Sequence, residues 1–273
     1  MKNIYEVNNV KSLISFLEEK GLNHNYYHHY TSWDSFKKIY SNKSFLLTRG
    51  NSLSINDHHE ALTKGSWEIW NKTYIGSFAF GSSENMAMWG LYGLPWNDAV
   101  RISIPKAQMI KWIKSLKTVN IWDGEIKGTI TPQKISLTDI AYIGGIKGSC
   151  DLKITHSDKS FSTSKLPELH KLDEKPEITG YIKNYAWHYE NEVRLRVELF
   201  RDIGYDKVLL ELPQDTLNAI RLTTGPYFAW KDDQLYTELC SQGRVNESGF
   251  KNLVNYRTLC SMCKYENFKR KQV

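Results

Sequence analysis

The clearest strand signal in this sequence lies in residues 185–199, YAWHYENEVRLRVEL. In its second half the apolar residues Val193, Leu195, Val197 and Leu199 alternate strictly with charged residues. Because successive side chains of a strand point to opposite faces, the alternation predicts a strand with one buried and one solvated face. Aromatic and acidic residues come directly before it, so we expect chemistry-bearing side chains where this strand begins.

Strands and helices alternate on both sides of this segment. The sequence predicts strands at residues 28–30, 44–48, 75–80, 100–104, 118–122, 127–131, 140–143 and 208–212. It predicts helices over residues 8–20 and 33–40, through Trp67 and Trp70, over 84–92 with Ser83 as N-cap, after Pro105, and from Asp232. Residues 157–176 are predicted to be a long loop or an inserted helix, and residues 217–222 are predicted to be either a further strand or a turn.

This mixture of elements predicts an α+β fold. No stretch of the chain has the composition of a linker between domains, so the prediction is one domain over residues 1–273. The N-terminal helix 8–20 and the C-terminal region 232–273 are expected to be additions to it.

Composition limits the class of protein and of partner. The 273 residues can bury a sizeable core, and their composition excludes a disordered or fibrous chain. The 36 Lys and Arg against 30 Asp and Glu give a net charge of +6, which permits a polyanionic partner without requiring one. The 9 Trp, 16 Tyr and 10 Phe supply both core area and platforms on which flat rings can stack.

The sequence also suggests where the protein works. It contains no secretory signal pattern and no apolar run of the roughly 18 residues that a membrane span needs. Its 4 Cys are too few for a disulfide scaffold. We therefore expect a cytoplasmic protein with no membrane partner. Cys260 and Cys263 have the spacing of half a zinc site, but two further ligands are lacking, and no metal is predicted.

Three short clusters combine aromatic rings, hydroxyls and charges at predicted element ends: residues 28–32, 88–92 and 187–194. As a set, with Asn56-Asp57 between the first two, they resemble a widespread and largely uncharacterised bacterial domain family. That family has an HYTS element, an ND element, an MW-x-x-Y helix and a W-x-YE-x-E-x-R strand, in this order. The family in turn resembles a distant branch of the ADP-ribosyltransferase superfamily. The resemblance implies a split antiparallel sheet with flanking helices, and NAD as co-substrate.

The resemblance also assigns roles to residues. Cleavage of the nicotinamide bond builds positive charge on the ribose, and Glu192 is implied to be the carboxylate that stabilises it. Glu190, two residues earlier, would face the same side of a strand and would orient or deprotonate the acceptor. Tyr92 or Trp89 would stack on the nicotinamide, and His29 with Thr31 would bind the ribose and the carboxamide. The remaining residues implied in NAD binding are Tyr30, Ser32, Arg49 and Arg194.

Each cluster also has a purely structural interpretation. His29 is equally explained as a hydrogen-bonded strand histidine, and the doubled His28-His29 leaves open which of the two faces a site. Met88, Trp89 and Tyr92 have the spacing of a core stripe on a helix. The charged residues Glu190, Glu192, Arg194 and Arg196 have the pattern of a solvated strand face with cross-strand pairs.

The favoured function is therefore transfer of ADP-ribose from NAD to a macromolecule, with nucleic acid, particularly RNA, preferred over a protein side chain as acceptor. The resemblance implies a bacterial toxin or phage-defence effector, for which an antitoxin protein is a further partner. The alternatives are an NAD glycohydrolase, in which water replaces the acceptor, and a module that binds a nucleotide or nucleic acid without catalysis.

Overall fold

The computed structural model describes residues 6–52, 66–144, 153–156, 159–162, 175–229 and 231–251. The predictions that concern Asn56-Asp57 and Cys260 with Cys263 lie outside the described residues. No helix among the described residues is both long enough and apolar enough to cross a membrane.

With the exception of the helix over Gln214–Ala219, which was not predicted, the helices lie close to their predicted positions. They are Val10–Gly21 (α1), Trp33–Asn42 (α2), Ser66–Trp70 (α3), Met86–Tyr92 (α4), Lys106–Ser115 (α5), Gln214–Ala219 (α6) and Gln234–Ser241 (α7). Short 3₁₀ helices occupy Trp96–Asp98, Pro176–Ile178 and Tyr185–Glu190.

Strands form the larger part of the structure. They are Tyr26–Ser32 (β1), Ser44–Arg49 (β2), Thr73–Ala79 (β3), Ala99–Pro105 (β4), Val119–Trp122 (β5), Ile126–Ile130 (β6), Lys134–Asp139 (β7), Ala141–Gly144 (β8), Lys153–His156 (β9), Lys159–Ser162 (β10), Ile182–Asn184 (β11), Glu192–Glu198 (β12), Lys207–Glu211 (β13), Arg221–Thr224 (β14) and Val245–Glu247 (β15). The α+β class is thus confirmed.

Within the described residues, eleven of these strands form one large sheet. Its order is β15-β14-β4-β1-β3-β2-β13-β5-β6, and β12 lies between β3 and β7. Among the described strands of this sheet, only the pair β14 and β15 is parallel. A smaller sheet has the order β10-β9-β8-β11, in which β8 and β11 are parallel.

The large sheet opens between β1 and β3, whereas β1 pairs with β4 along its whole length. Strand β12 pairs with β3 along its whole length, whereas β1 meets the other edge of β3 at one position, His28 opposite Ala79. Strand β2 joins the same edge through Thr48 and Arg49, opposite Ile75 and Tyr74. In the described part of the chain, the backbone of residues 76–78 therefore has no strand partner on this edge. The sheet is split at that place.

The main core fills the side of the sheet covered by α2, α5, α6 and α7. It is built from alternate residues of the central strands together with helix residues such as Trp33, Trp112 and Tyr236. Helix α1 packs instead against β7 and a separate cluster that includes Ile178 and Tyr181. Its last residue, Gly21, lies so close to the backbone of β7 that an added Cβ would be 2.7 Å from the Leu137 carbonyl oxygen.

Several predictions about single elements were wrong. The α4 cap is Asn85, not Ser83, because the Asn85 Oδ1 accepts from the N–H groups of Ala87 and Met88. Strand β7 was missed, and β10, which pairs with β9, lies inside residues 157–176, the segment predicted to be a long loop or an inserted helix. Part of residues 217–222 is the end of α6 rather than a strand.

The prediction of a half-solvated β12 was also wrong. Glu192, Arg194 and Arg196 are no more than 3% exposed, and their apolar neighbours on the opposite face are fully buried. The physical reason is that β12 is an inner strand whose charged face lies under the chain segment around Gly180, where the Arg194 Nη1 donates to the Gly180 carbonyl over 3.4 Å. The interpretation as a solvated strand face is thereby excluded.

Candidate functional site

A cavity of about 250 Å³ lies where the sheet splits. Residues of β1, β2, β3 and α4 form its walls, and Lys183, Glu190, Glu192 and Arg194 contribute the charged groups. Its volume is close to the lower end of small-molecule sites, about 300 Å³. Such a cavity accommodates a small ring with part of a sugar, but not a whole dinucleotide.

Glu192 begins β12 at this cavity and is held from three sides. Its Oε1 accepts hydrogen bonds from the Ser77 hydroxyl over 2.6 Å and from the Arg194 Nε over 2.7 Å. Its Oε2 accepts from the Arg194 Nη2 over 3.0 Å and from the Lys183 Nζ over 3.3 Å. The backbone N–H of Glu192 donates to the Tyr142 hydroxyl over 2.8 Å. The carboxylate is therefore fixed in one orientation.

These partners keep Glu192 ionised. Burial by itself would raise the pKa of Glu192, but the charges of Arg194 and Lys183 and the hydrogen bonds from Arg194 and Ser77 outweigh burial and lower the pKa to about 2. A permanent negative charge consequently lies at the wall of the cavity.

Glu190 behaves in the opposite way. Its Oε1 accepts a hydrogen bond from the Tyr92 hydroxyl over 2.6 Å, and its Oε2 accepts from the Lys183 Nζ over 2.6 Å. Burial and the neighbouring charge of Glu192 nevertheless raise the pKa of Glu190, since the cation and the hydrogen bonds compensate only in part. Glu190 is thus the carboxyl of this pair that is able to exchange a proton nearer to neutral pH.

The two carboxylates meet through a turn and not through strand alternation. Glu190 is the last residue of a 3₁₀ helix, and Asn191 then takes a left-handed conformation with φ 45° before β12 begins. The prediction that Glu190 and Glu192 lie on one face of a strand was therefore wrong, because Glu190 is not part of β12. Lys183 brings them together, because its Nζ bonds both carboxylates from β11.

Helix α4 supplies the aromatic part of the site. Tyr92 and Met88 line the cavity, with the Tyr92 hydroxyl bonded to Glu190. Trp89 is buried beside Tyr30 and donates its Nε1–H to Glu84, and it lines a separate apolar cavity. Of the two residues predicted to stack on a ring, Tyr92 is the one at the site cavity.

Both histidines of β1 line the cavity, but they differ in what their rings bond. His28 is buried, and its Nε2–H donates to the Gly81 carbonyl over 2.8 Å while its Nδ1 accepts from the Ser103 hydroxyl over 2.8 Å. Burial and the charge of Arg101 lower the pKa of His28 to about 4. His29 donates its Nδ1–H to the Ser77 carbonyl over 3.0 Å, and burial lowers its pKa too. The Nε2 of His29 is then the acceptor nitrogen of a neutral ring, which favours His29 as the ligand-binding histidine.

The other predicted binding residues are distributed more widely. Tyr30 lines the cavity, and its hydroxyl accepts from the Asn85 N–H over 3.3 Å. Thr31 lines a neighbouring, larger groove. Ser32 is the N-cap of α2, where its Oγ accepts from the Ser35 N–H over 3.1 Å. Arg49 pairs with two carboxylates, those of Asp202 and Asp206, and is not a wall residue of the cavity.

Arg194, which the resemblance implies in NAD binding, lines the cavity and bonds Glu192. Its guanidinium grips Glu192 through two nitrogens and is 1% exposed, so it orients a carboxylate within the protein. In addition, Lys183, Ser77 and Tyr142 were missed by the sequence analysis. Lys183 lies in a stretch without a recognisable pattern. Ser77 is one polar residue in an apolar strand, and its position at the site becomes evident only from the pairing of Ser77 with Arg194 between β3 and β12.

No group of three or more His, Cys, Asp or Glu suited to a metal ion occurs among the described residues. Comparison of the chain with protein-family models, with curated proteins and with solved structures finds no match. The geometry of the cavity is thus the observation from which a function is argued.

Proposed function

We propose that this protein transfers ADP-ribose from NAD to a macromolecule, with the cavity in the split sheet as the site of the nicotinamide and its ribose. The observation that carries the proposal is the pair Glu190 and Glu192, whose surroundings move the two pKa values in opposite directions. Two carboxylates with separated pKa values divide the work of a glycosidic bond cleavage between a fixed charge and a proton acceptor.

In this mechanism Glu192 is the fixed charge. The bond between the ribose C1′ and the nicotinamide nitrogen breaks, and nicotinamide leaves with the electron pair of that bond. The positive charge that develops on the ribose ring is stabilised by the permanently ionised Glu192. Ser77 and Arg194 hold that carboxylate in place, so little reorganisation is needed as the charge develops.

Glu190 completes the transfer. The acceptor oxygen or nitrogen forms its bond with C1′ while Glu190 takes the proton that the acceptor loses. The raised pKa of Glu190 suits this task, because a more basic carboxylate is a better proton acceptor. Tyr92 lies at the same wall and offers a ring to the leaving nicotinamide, and the Nε2 of His29 offers an acceptor to a ribose hydroxyl.

The way in which the sheet opens at His28 also supports the proposal, since the superfamily that the sequence resembles is built on a split sheet.

One observation favours a second function, the binding of a nucleotide without catalysis. Arg194 and Lys183 both bond Glu192 and offset part of its charge, as expected of a pocket that binds a nucleotide without cleaving it.

Incubation with NAD labelled in its adenylate half decides between the two functions. Purified protein is mixed with labelled NAD and, in separate reactions, with total RNA or with cell proteins. Label in either macromolecule supports transfer, whereas free ADP-ribose alone identifies a glycohydrolase and contradicts transfer. Intact NAD in every mixture, with saturable NAD binding in calorimetry, would support the binding module instead.

A further inference from the structure

A second and larger cavity lies beside the site. It is a groove of about 890 Å³ between α2 and the open face of β2, β5 and β13. The groove and the site cavity share three wall residues, His29, Phe45 and Leu46. A long ligand that lies in the groove therefore passes directly beside the site.

The polar groups of the groove are mainly cationic or neutral. Lys38 lies on α2, and Lys43 follows the same helix as its left-handed C-cap. Among the described residues neither lysine forms an ion pair with a carboxylate. Glu211 is the one acidic residue among the described residues that line the groove, and Asn42 and Asn120 add amide groups. The groove thus offers two cations, Lys38 and Lys43, to the negative groups of a ligand.

The floor of the groove is apolar and partly open to solvent. Leu46 is 39% exposed and Ile126 is 57% exposed, so two large aliphatic side chains of this wall are open to solvent. Trp122 is half-buried among them and offers a ring. Apolar and aromatic surface flanked by lysines is the combination that binds single-stranded nucleic acid, because bases stack on the floor while phosphates contact the cations.

We propose that this groove binds single-stranded nucleic acid and presents it to the site as the acceptor of ADP-ribose. The second half of this inference rests on the proposed function, whereas the binding itself does not. A polypeptide is the competing occupant, but it does not carry a charge at every repeat. Two lysines that have no carboxylate partner among the described residues therefore favour the polyanion.

Binding of a fluorescent single-stranded oligonucleotide, measured by anisotropy at several salt concentrations, tests the groove. The variant Lys38→Gln/Lys43→Gln should bind about 10-fold more weakly, and the slope of log K against log salt should fall by about 1.4, or about 0.7 for each lost phosphate contact. The matched control is Lys114→Gln/Lys117→Gln, which removes the same charge from exposed positions that do not line the groove. The control should keep the slope of the unaltered protein.

The ring is tested separately. Trp122→Ala should weaken binding about 5-fold or more, and Trp122→Phe should restore most of it, because stacking needs a flat ring and not an indole. Thermal unfolding of each variant verifies that the fold is intact.

The outcomes separate this inference from the proposed function. Equal salt slopes for the groove variant and the control would overturn it, as would labelling of cell protein without any binding of oligonucleotide. Loss of RNA labelling in the groove variant, with unchanged release of nicotinamide to water, would support it. If oligonucleotide binding depends on Lys38 and Lys43 but NAD remains intact, the proposed function is refuted, whereas the inference that the groove binds nucleic acid is retained.

Discussion

Strand β12 carries a pair of Glu and Arg residues at each end of the same face, and the two pairs differ in their burial and in their hydrogen-bond partners. At the cavity end, Glu192 is 3% exposed and bonds Arg194, Lys183 and Ser77. At the far end, the Glu198 side chain is 25% exposed, and its Oε1 lies 3.2 Å from the Arg196 Nη2. The guanidinium of Arg196 lies 3.9 Å from the centre of the Tyr181 ring.

The difference shows that a carboxylate acquires a function from its surroundings and not from its pattern in the sequence. The far pair connects β12 with the segment around Tyr181 through the contact of Arg196 with the Tyr181 ring. The cavity pair instead has a second carboxylate within reach of the same lysine, and an opening of the sheet beside it. The two ends of β12 therefore serve as experiment and control for each other.

The largest difference between the two ends is expected in catalysis. Glu192→Gln should lower NAD turnover about 100-fold or more, because it removes the charge that stabilises the ribose cation. Glu198→Gln should change turnover less than about 3-fold. Both are measured as release of nicotinamide at saturating NAD, well below the unfolding temperature of each variant. Comparable turnover in the two variants would remove Glu192 from the mechanism.

Removal of the lysine should have the next largest effect. Lys183→Met leaves two buried carboxylates without their shared cation, and breaking a buried pair in this way costs about 3–5 kcal/mol. Arg196→Met should cost less, because the partly exposed Glu198 that it leaves behind can be hydrated. Urea unfolding at pH 7 measures both.

The pH dependence of the Lys183→Met defect provides its control. A carboxyl whose partner has been lost is easily protonated, so the defect should shrink at pH 5 as Glu190 takes up a proton. A defect of equal size at both pH values would mean that Lys183 contributes packing and not charge.

Glu192 should also give the protein a characteristic sensitivity to acid. Its pKa is lowered from 4.5 to about 2 in the folded state, so its contribution to stability is complete above pH 4.5 and is lost as the pH falls towards 2. The shift corresponds to about 3 kcal/mol. The gap in unfolding free energy between the unaltered protein and Glu192→Gln should narrow across this window. Glu190 acts in the opposite direction, because its raised pKa makes its ionisation destabilising as the pH rises.

Local patterns of the sequence predicted secondary-structure elements, but they did not predict the burial of the charged residues of β12. The alternation of β12, the helix over residues 33–40 and the helix over Met88 and Tyr92 are local patterns, and the structure contains all three elements. The burial of Arg194 was not predictable in this way. It depends on β12 lying between β3 and β7, and β7 has too weak a pattern to be recognised.

The candidate site shows the same limit. Glu190, Glu192, Tyr92 and His29 were named through the resemblance of their sequence motifs to a known family, and they do line one cavity. Their link is Lys183, which comes from a three-residue strand of the smaller sheet, Ile182–Asn184. A contact between two sheets leaves no periodic trace in a sequence, so neither this lysine nor its bond with both carboxylates could be anticipated.

The smallest effect is expected from a single hydroxyl at each end. Tyr92→Phe removes the hydrogen bond to Glu190 and keeps the ring, whereas Tyr181→Phe removes the 2.7 Å hydrogen bond to the carboxylate of Glu18. Each loss should cost about 1 kcal/mol of stability.

Only Tyr92→Phe should move the pH profile of NAD turnover. Because the Tyr92 hydroxyl helps to hold down the pKa of Glu190, its loss raises that pKa and shifts the limb on which turnover increases with pH to higher pH. A pH profile that shifts equally in both variants would show that the limb belongs to the stability of the fold, and Glu190 would then not be the group that accepts the proton.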